Sequence, residues 1–512
     1  MLGYKPKVFR THLGVSIDDL VPPDNFYRQV EAKLDLTFVR DLVKHTYSSH
    51  MGRPSIDPVV FFRLQLIMFF EGIRSERKLI EQVNLNLAFR WYIGYDLNEK
   101  VPNHSSLSKI RERYGLEVFQ RFFEHIVELC IAAGLVWGKE LYFDGTKVQA
   151  NADVDTLVPR FYYEARQHLK ELFEQERQAE RPDGETPQED EHEAAETPRG
   201  FVEKYDGTRI LSRKSHWYKR KTDDRVSLTD PDASPMKSST GAKAKLGYHV
   251  HYVVDGGKAR IILAALATPA SIMDNTPMLD LERWVRFRWF LRPKIAVGDA
   301  KYGTVANLVG LEQAGIRAYI PIPDFKRSSK FHPPSQFEYD EERDRYICPQ
   351  GHSVSYWYCR STELAFVYRA DADICNACPI KANCTDSESG RHIFRSFFQA
   401  DLDRVAAYPE TAAYQKAMNK RKVWPEPLFG EAKQWHGLCK FRLRRLEMVN
   451  IQTLMTAAGQ NIKRLLRARK WRSPLKPAAS QVLAPPVSLA DAGLRCYLSA
   501  GSTVSCQQLV WV

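Results

Sequence analysis

Leu141-Tyr-Phe-Asp-Gly-Thr-Lys-Val-Gln-Ala-Asn151 is the stretch that decides the fold. Leu141, Phe143 and Val148 are apolar or strand-forming, Gly145 interrupts them, and the run reads as a β-strand. In its middle sits Asp144. A carboxylate in an apolar strand is costly to bury unless something neutralises it. A divalent metal does that. A place at a strand-end turn, where the side chain caps a backbone amide, accounts for it equally well.

The arrangement recurs downstream. In Pro293-Lys-Ile-Ala-Val-Gly-Asp-Ala-Lys-Tyr-Gly303 a short apolar run ends in Asp299, and Gly303 leads into a helical pattern of Val305, Leu308, Val309 and Leu311. An Asp at the carboxyl end of a strand in an α/β layout stands where such folds bind ligands. Later, Trp424-Pro-Glu-Pro-Leu-Phe-Gly-Glu-Ala-Lys433 places Glu426 ahead of an amphipathic, very basic helix. Two Asp from strands and one Glu from a helix bring hard oxygen ligands to Mg²⁺, which keeps several waters for its substrate.

Asp144, Asp299 and Glu426, with Lys433 seven residues after the Glu, resemble the DDE transposases of bacterial insertion sequences. The surrounding text is similar too: YFDGTKVQANA, LGYHVHYVVD, TPASIMDNTPMLDL, VGDAKYGT and EPLFGEAKQWHGLCKFRLRRLEMVNIQTLMTAAGQNIKRL. The likeness covers residues 15 to 470 or so. It implies an α/β chain with a ribonuclease H-like catalytic core and an all-helical N-terminal domain. It also implies metal-dependent cleavage and strand transfer at insertion-sequence ends. Asp144 and Asp299 would hold and bridge two Mg²⁺, or Mn²⁺ in their place, with Glu426 completing the second site. Lys433 and Lys422 or Arg421 would grip flanking phosphates. The partners implied are the terminal inverted repeats and target DNA, bound by a homodimer. One departure stands out. Many relatives carry a Tyr and an Arg upstream of the Glu, whereas Asn419 and Lys422 stand at those places here, with Arg421 beside the latter. A catalytically silent DNA-binding protein and a plain nuclease of the same fold are the competing readings.

The 512 residues exceed a single core and divide into two or three domains. With 44% hydrophobic and 27% charged residues the composition is ordinary globular, and the net charge of +12 suits a polyanionic partner. The charge is unevenly spread. Between Lys416 and Arg472 fifteen Lys or Arg face three Glu, whereas between Lys170 and Pro198 eleven acids face three bases. Met1 to Thr11 lacks the apolar core of a signal peptide, and Pro58 to Ile73 is too short and polar to span a bilayer. A cytoplasmic protein with no membrane partner is the expectation.

Taken in order, residues 1–135 read as helical. Asp57-Pro58 is a helix start, and Val59, Phe62, Leu66, Phe69 and Phe70 make an apolar face. Asn103 precedes a basic helix bearing Lys109, Arg111 and Arg113, which is either a DNA-reading element or a solvated face. Residues 136–322 read as the first part of the catalytic core, interrupted by an acidic linker over about 170–204. Within it Asp230 and Asp232 suit a turn better than a place beside the metal. Residues 323–400 read as an insertion containing Cys348, Cys375, Cys378 and Cys384, with His352 as a substitute. One C-x-x-C pair fits a structural Zn²⁺ site, and buried reduced thiols fit as well. Residues 401–472 return to the core with Glu426 and the basic residues Lys440, Arg442, Arg444 and Arg445, whose density beside a Glu favours phosphate contact. Residues 473–512, rich in Pro, Ala, Ser and Val, read as a disordered tail in which Cys496 and Cys506 are free thiols.

Overall fold

The computed structural model describes residues 2–9, 14–48, 55–179, 225–237, 241, 243–322, 331–361 and 364–468. Most of the acidic linker and the tail, with Cys496 and Cys506, lie outside the described residues. None of the described helices is long and apolar enough to cross a membrane.

The N-terminal region is helical because its caps and apolar residues coincide. Asp57 accepts a hydrogen bond from the Val59 amide at 2.9 Å, and Pro58 opens helix α1 (Pro58–Phe70). Ser75 caps α2 (Glu76–Leu85) and Asn86 caps α3 (Leu87–Ile93). Asn103 caps α4 (His104–Ala132), which is broken at Gly115, where φ is 62°. The single apolar face expected for α1 is an underestimate: Val60, Phe61, Leu64 and Ile67 are buried as well. Neighbours cover α1 on every side, including a helix from the far end of the chain. The solvated or DNA-facing alternatives for Arg111 are also overturned. It is buried and ion-paired with Glu76 of α2, which neutralises it inside the bundle.

The central sheet begins with β1 (Glu140–Gln149) and adds β2 (Ser234–Met236), β3 (Lys245–Asp255), β4 (Ile262–Pro269), β5 (Ile295–Val297) and β6 (Arg317–Tyr319). The path runs β2–β3–β1–β5–β6, with β4 also on the outer edge of β3. β3 is antiparallel to β1 and to β4, and Asp255-Gly-Gly257 leads out of it on the way into β4. β5 and β6 add in parallel, linked by α6 (Val305–Gln313), with α5 (Met278–Arg288) preceding β5.

A second sheet fills much of the expected insertion. β7 (Glu338–Asp340), β8 (Arg345–Ile347), β9 (Ser353–Arg360), β10 (Ala365–Ala370) and β11 (His392–Ser396) form an antiparallel meander. Its core is small, built on Phe337, Tyr346, Val354, Tyr368 and Ile393 with Cys384.

The chain then returns through α7 (Ala412–Arg421), α8 (Glu426–Trp435) and α9 (Leu446–Arg467). The stripe Ile451, Leu454, Met455, Ala458, Ile462 and Leu465 of α9 is buried. α9 lies between the sheet and the N-terminal helices, so one hydrophobic core runs from Ile17 to Leu465. It approaches α1 closely at Gly459, where an added Cβ would stand 2.4 Å from the Phe69 ring. It also seals the sheet. The Asn450 carboxamide bonds the amide and carbonyl of Ala267 at 2.8 and 2.9 Å, and Asn461 does the same for Ile262 at 2.9 and 2.8 Å. The free edge of β4 thus finds its partners on a helix. Asp230 and Asp232 fasten the start of α9, accepting from the amides of Arg445 and Leu446 at 2.8 and 2.7 Å, a role closer to the expected turn than to a metal site.

Candidate active site

Strand register brings the first two acids together. In the parallel pairing of β1 with β5, Tyr142 stands opposite Val297. Two residues further along each chain come Asp144 and Asp299, at the carboxyl end of β5 where the two strands have just parted. The 155-residue separation is therefore a register offset. Asp299 continues into a turn at Ala300–Tyr302 and accepts the Lys301 amide at 2.9 Å.

The third acid arrives on the corner between α7 and α8. That corner is pinned to the start of the sheet by four contacts. Lys420 Nζ reaches Glu140 Oε2 and the Gly256 carbonyl, both at 2.6 Å. The Trp424 indole donates to the Gly257 carbonyl at 3.2 Å, and Arg260 donates to the Val423 carbonyl at 3.1 Å. Glu426 begins α8 immediately afterwards.

The three carboxylates converge on one guanidinium. Arg421 Nη2 lies 3.2 Å from Asp144 Oδ1 and 3.7 Å from Asp299 Oδ2, and its Nη1 lies 3.6 Å from Glu426 Oε1. The side chains grade from covered to open, with 10% of Asp144, 31% of Asp299 and 52% of Glu426 exposed, so the site opens on the Glu426 side. Burial pushes the Asp144 carboxyl up to about 6; Arg421 opposes this, while Asp299 and Glu426 reinforce it. The acids surround the guanidinium rather than a point of their own. Among the described residues, no three His, Cys, Asp or Glu stand ready to hold a metal ion.

The other expected residues fall into two groups. Lys433 points back to β1 and donates to Thr146 Oγ1 at 2.6 Å, two residues from Asp144. Lys422, Arg444 and Arg445 are exposed and Lys440 partly so. Arg442, by contrast, is turned inward to Glu76 at 3.1 Å. Arg421 lies within the triad itself, not on a flanking surface. In the insertion, Cys348, Cys375, Cys378 and Cys384 line one cavity together with His352, and all four are free thiols.

Sequence reasoning missed a buried polar layer behind β1. His249 and His251 alternate onto one face of β3. Asp274 stands 3.0 Å from His249 Nδ1 and 3.3 Å from Lys301 Nζ. The Tyr302 ring is buried close to Asp144, Asp274 and Asp299, and its hydroxyl is held well above the usual range by burial and these acids. The period-two histidines and the Tyr three residues after Asp299 were the available signals.

Comparison with known families gives three matches along the chain. Residues 15–113 match a transposase domain (DUF772), and residues 205–372 and 347–466 each match a transposase DDE domain. No curated protein and no solved structure matches the chain. The chain belongs to the DDE transposases of insertion sequences.

Proposed function

We propose that the protein cuts and joins DNA at the ends of its own insertion sequence, with Asp144, Asp299 and Glu426 as ligands of two Mg²⁺ or Mn²⁺ ions. The observation that carries this reading is the convergence of three acids, from two strands and a helix, on a single cation. Their donors are hard carboxylate oxygens, at least one of them on the open side of the site, and this set suits a hard divalent ion that retains water. Asp144, Asp299 and Glu426 would hold such ions, which would supply activation of a water or 3′-hydroxyl and charge stabilisation for the leaving oxygen.

This chain's own residues do the rest. The α7–α8 corner fixes Glu426 against the strand ends. Lys433, Lys422, Lys440, Arg444 and Arg445 would supply cations for the DNA backbone. The ribonuclease H-like assignment belongs to this reading and is supported by the strand order β4–β3–β1–β5–β6, three antiparallel then two parallel. Recognition of the terminal repeats is assigned to the N-terminal helices, and a homodimer to the two ends that must be joined.

A structural Zn²⁺ in the insertion is part of the same proposal. Its support is the single cavity lined by Cys348, Cys375, Cys378 and Cys384, beside a core too small to hold a sheet firmly. Metal analysis of protein purified without added zinc should find about one zinc per chain; finding none sinks this part alone.

The principal test incubates the full chain and Mg²⁺ with a DNA fragment carrying the element's terminal repeats. Cleavage followed by joining to unrelated DNA is expected. Cleavage without joining makes the protein a plain nuclease, and binding without cleavage makes it a silent DNA-binding protein.

A further inference from the structure

We propose that Arg421 is a resident counter-ion of the triad: it holds the three acids together before metal arrives, and metal entry releases it to the DNA backbone. The proposal rests on the reading of Asp144, Asp299 and Glu426 as metal ligands.

The argument starts from charge. Three carboxylates share one guanidinium, and like charges this close destabilise one another unless a cation intervenes. Arg suits the task better than Lys, because its planar fork addresses several carboxylates at once. Lys422, the neighbour at the place where relatives carry Arg, is exposed.

The hold on Arg421 is loose. Of its three carboxylate approaches only the one to Asp144, at 3.2 Å, is a hydrogen bond. Its Nε is buried with no partner. The backbone beside it is fixed, since Lys420 and Trp424 are both bonded to the sheet. A fixed backbone with a weakly held side chain lets the guanidinium move without moving the helix.

Metal and guanidinium exclude one another. An Mg²⁺ ion draws its oxygens to about 2.1 Å. The same oxygens now stand 3.2–3.7 Å from the two terminal nitrogens of Arg421, which fill the space between them. Displaced toward the open Glu426 side of the site, the side chain would find in a DNA phosphate its natural partner.

The experiment uses full-length parent, Arg421→Gln and Arg421→Lys, each made both with and without Asp144→Asn. Binding of Mg²⁺ and of non-catalytic Ca²⁺ is measured by calorimetry, and melting is followed in EDTA. Arg421→Gln should lower the melting temperature in EDTA and tighten apparent metal affinity by about tenfold. Arg421→Lys should fall between it and the parent, and serves alone if Arg421→Gln fails to fold. Affinity for an end-bearing DNA fragment is the second readout: Arg421 should contribute in Ca²⁺ and not in EDTA. Equal metal affinity in parent and variants, or an equal contribution to DNA binding with and without metal, overturns the proposal. If Asp144→Asn leaves metal binding untouched in every background, the metal-ligand reading itself has failed. If Asp144→Asn abolishes metal binding while the Arg421 variants match the parent, the counter-ion proposal alone has failed.

Discussion

Glu426 and Glu431 stand five residues apart on one helix, and their surroundings are opposite. Glu426 shares a single guanidinium with two other acids. Glu431 is one acid among three basic groups: Lys463 at 2.5 Å, Arg464 at 3.3 Å and His436 at 3.6 Å. Burial alone would raise the Glu431 carboxyl, but His436, Lys463 and Arg464 hold it well below the usual range. Asp144 goes the other way, because burial and two acids outweigh its one cation. Both regions bury acids. What differs is whether the protein supplies enough positive charge of its own. Where it does, the acid fastens helix to helix; where it does not, three acids are left sharing one guanidinium.

The hardest test of that contrast is Asp299→Asn. It should reduce Mg²⁺-dependent cleavage of an end-bearing DNA fragment by at least about a thousandfold, roughly 4 kcal/mol of barrier. DNA binding should stay intact or improve, because a negative charge beside the phosphate has gone. Normal cleavage by this variant would break the contrast outright.

The mirror experiment is Glu431→Gln. Chemical denaturation should show a loss of about 2 kcal/mol, the scale of hydrogen bonds to a charged group. Cleavage per folded molecule should match the parent. Loss of cleavage with full stability would exchange the roles of the two glutamates.

A pH series sharpens the same point. The folded Glu431 carboxyl titrates below its unfolded value of about 4.3, so the folded state binds fewer protons there. Its stabilisation is therefore complete above that value and is lost as pH falls through the folded one. The stability gap between parent and Glu431→Gln should be constant near neutrality and close on acidification. A gap that widens in acid contradicts the sign.

The smallest effect belongs to Lys433→Ala. It removes a cation at the edge of the deficient region and no acid. Salt titration of DNA binding should lose about one unit of log–log slope. An unchanged slope would place Lys433 in service of Thr146 alone.

Much of the site was legible because it is written in local text. The strand around Asp144, the strand before Asp299 and the helix after Glu426 each announce themselves. Glu426 meets Asp144 and Asp299 at Arg421, whereas Glu431 is held by Lys463, Arg464 and His436. What the text concealed is where side chains finish. Arg421 and Lys422 are adjacent bases in sequence, yet one enters the triad and the other stays in solvent. Arg111 reads as a surface charge until Glu76 and the bundle close over it. The inserted sheet was hidden for another reason. Three of its strands span three to five residues, and β9 carries an irregularity at Tyr356–Tyr358 with Tyr356, Trp357 and Tyr358 all exposed. Runs so short show no period, and β9 breaks the alternation that marks a half-buried strand.

The two carboxamides of α9 have a bearing on how the molecule is made. Asn450 and Asn461 are eleven residues apart, about three helical turns or roughly 16 Å. Ala267 and Ile262 are five residues apart on a strand, again roughly 16 Å. Helix and strand therefore mesh like two rulers with different graduations, and they agree at both marks. Glu426 precedes this helix on the same stretch of chain. A ribosome that stopped short of residue 446 would release a product with all three acids but with the β4 edge bare, ready to pair with another nascent chain. Such a fragment would keep the acids and lose the partners of β4, so the sheet that carries the acids is finished only by the last helix to be made.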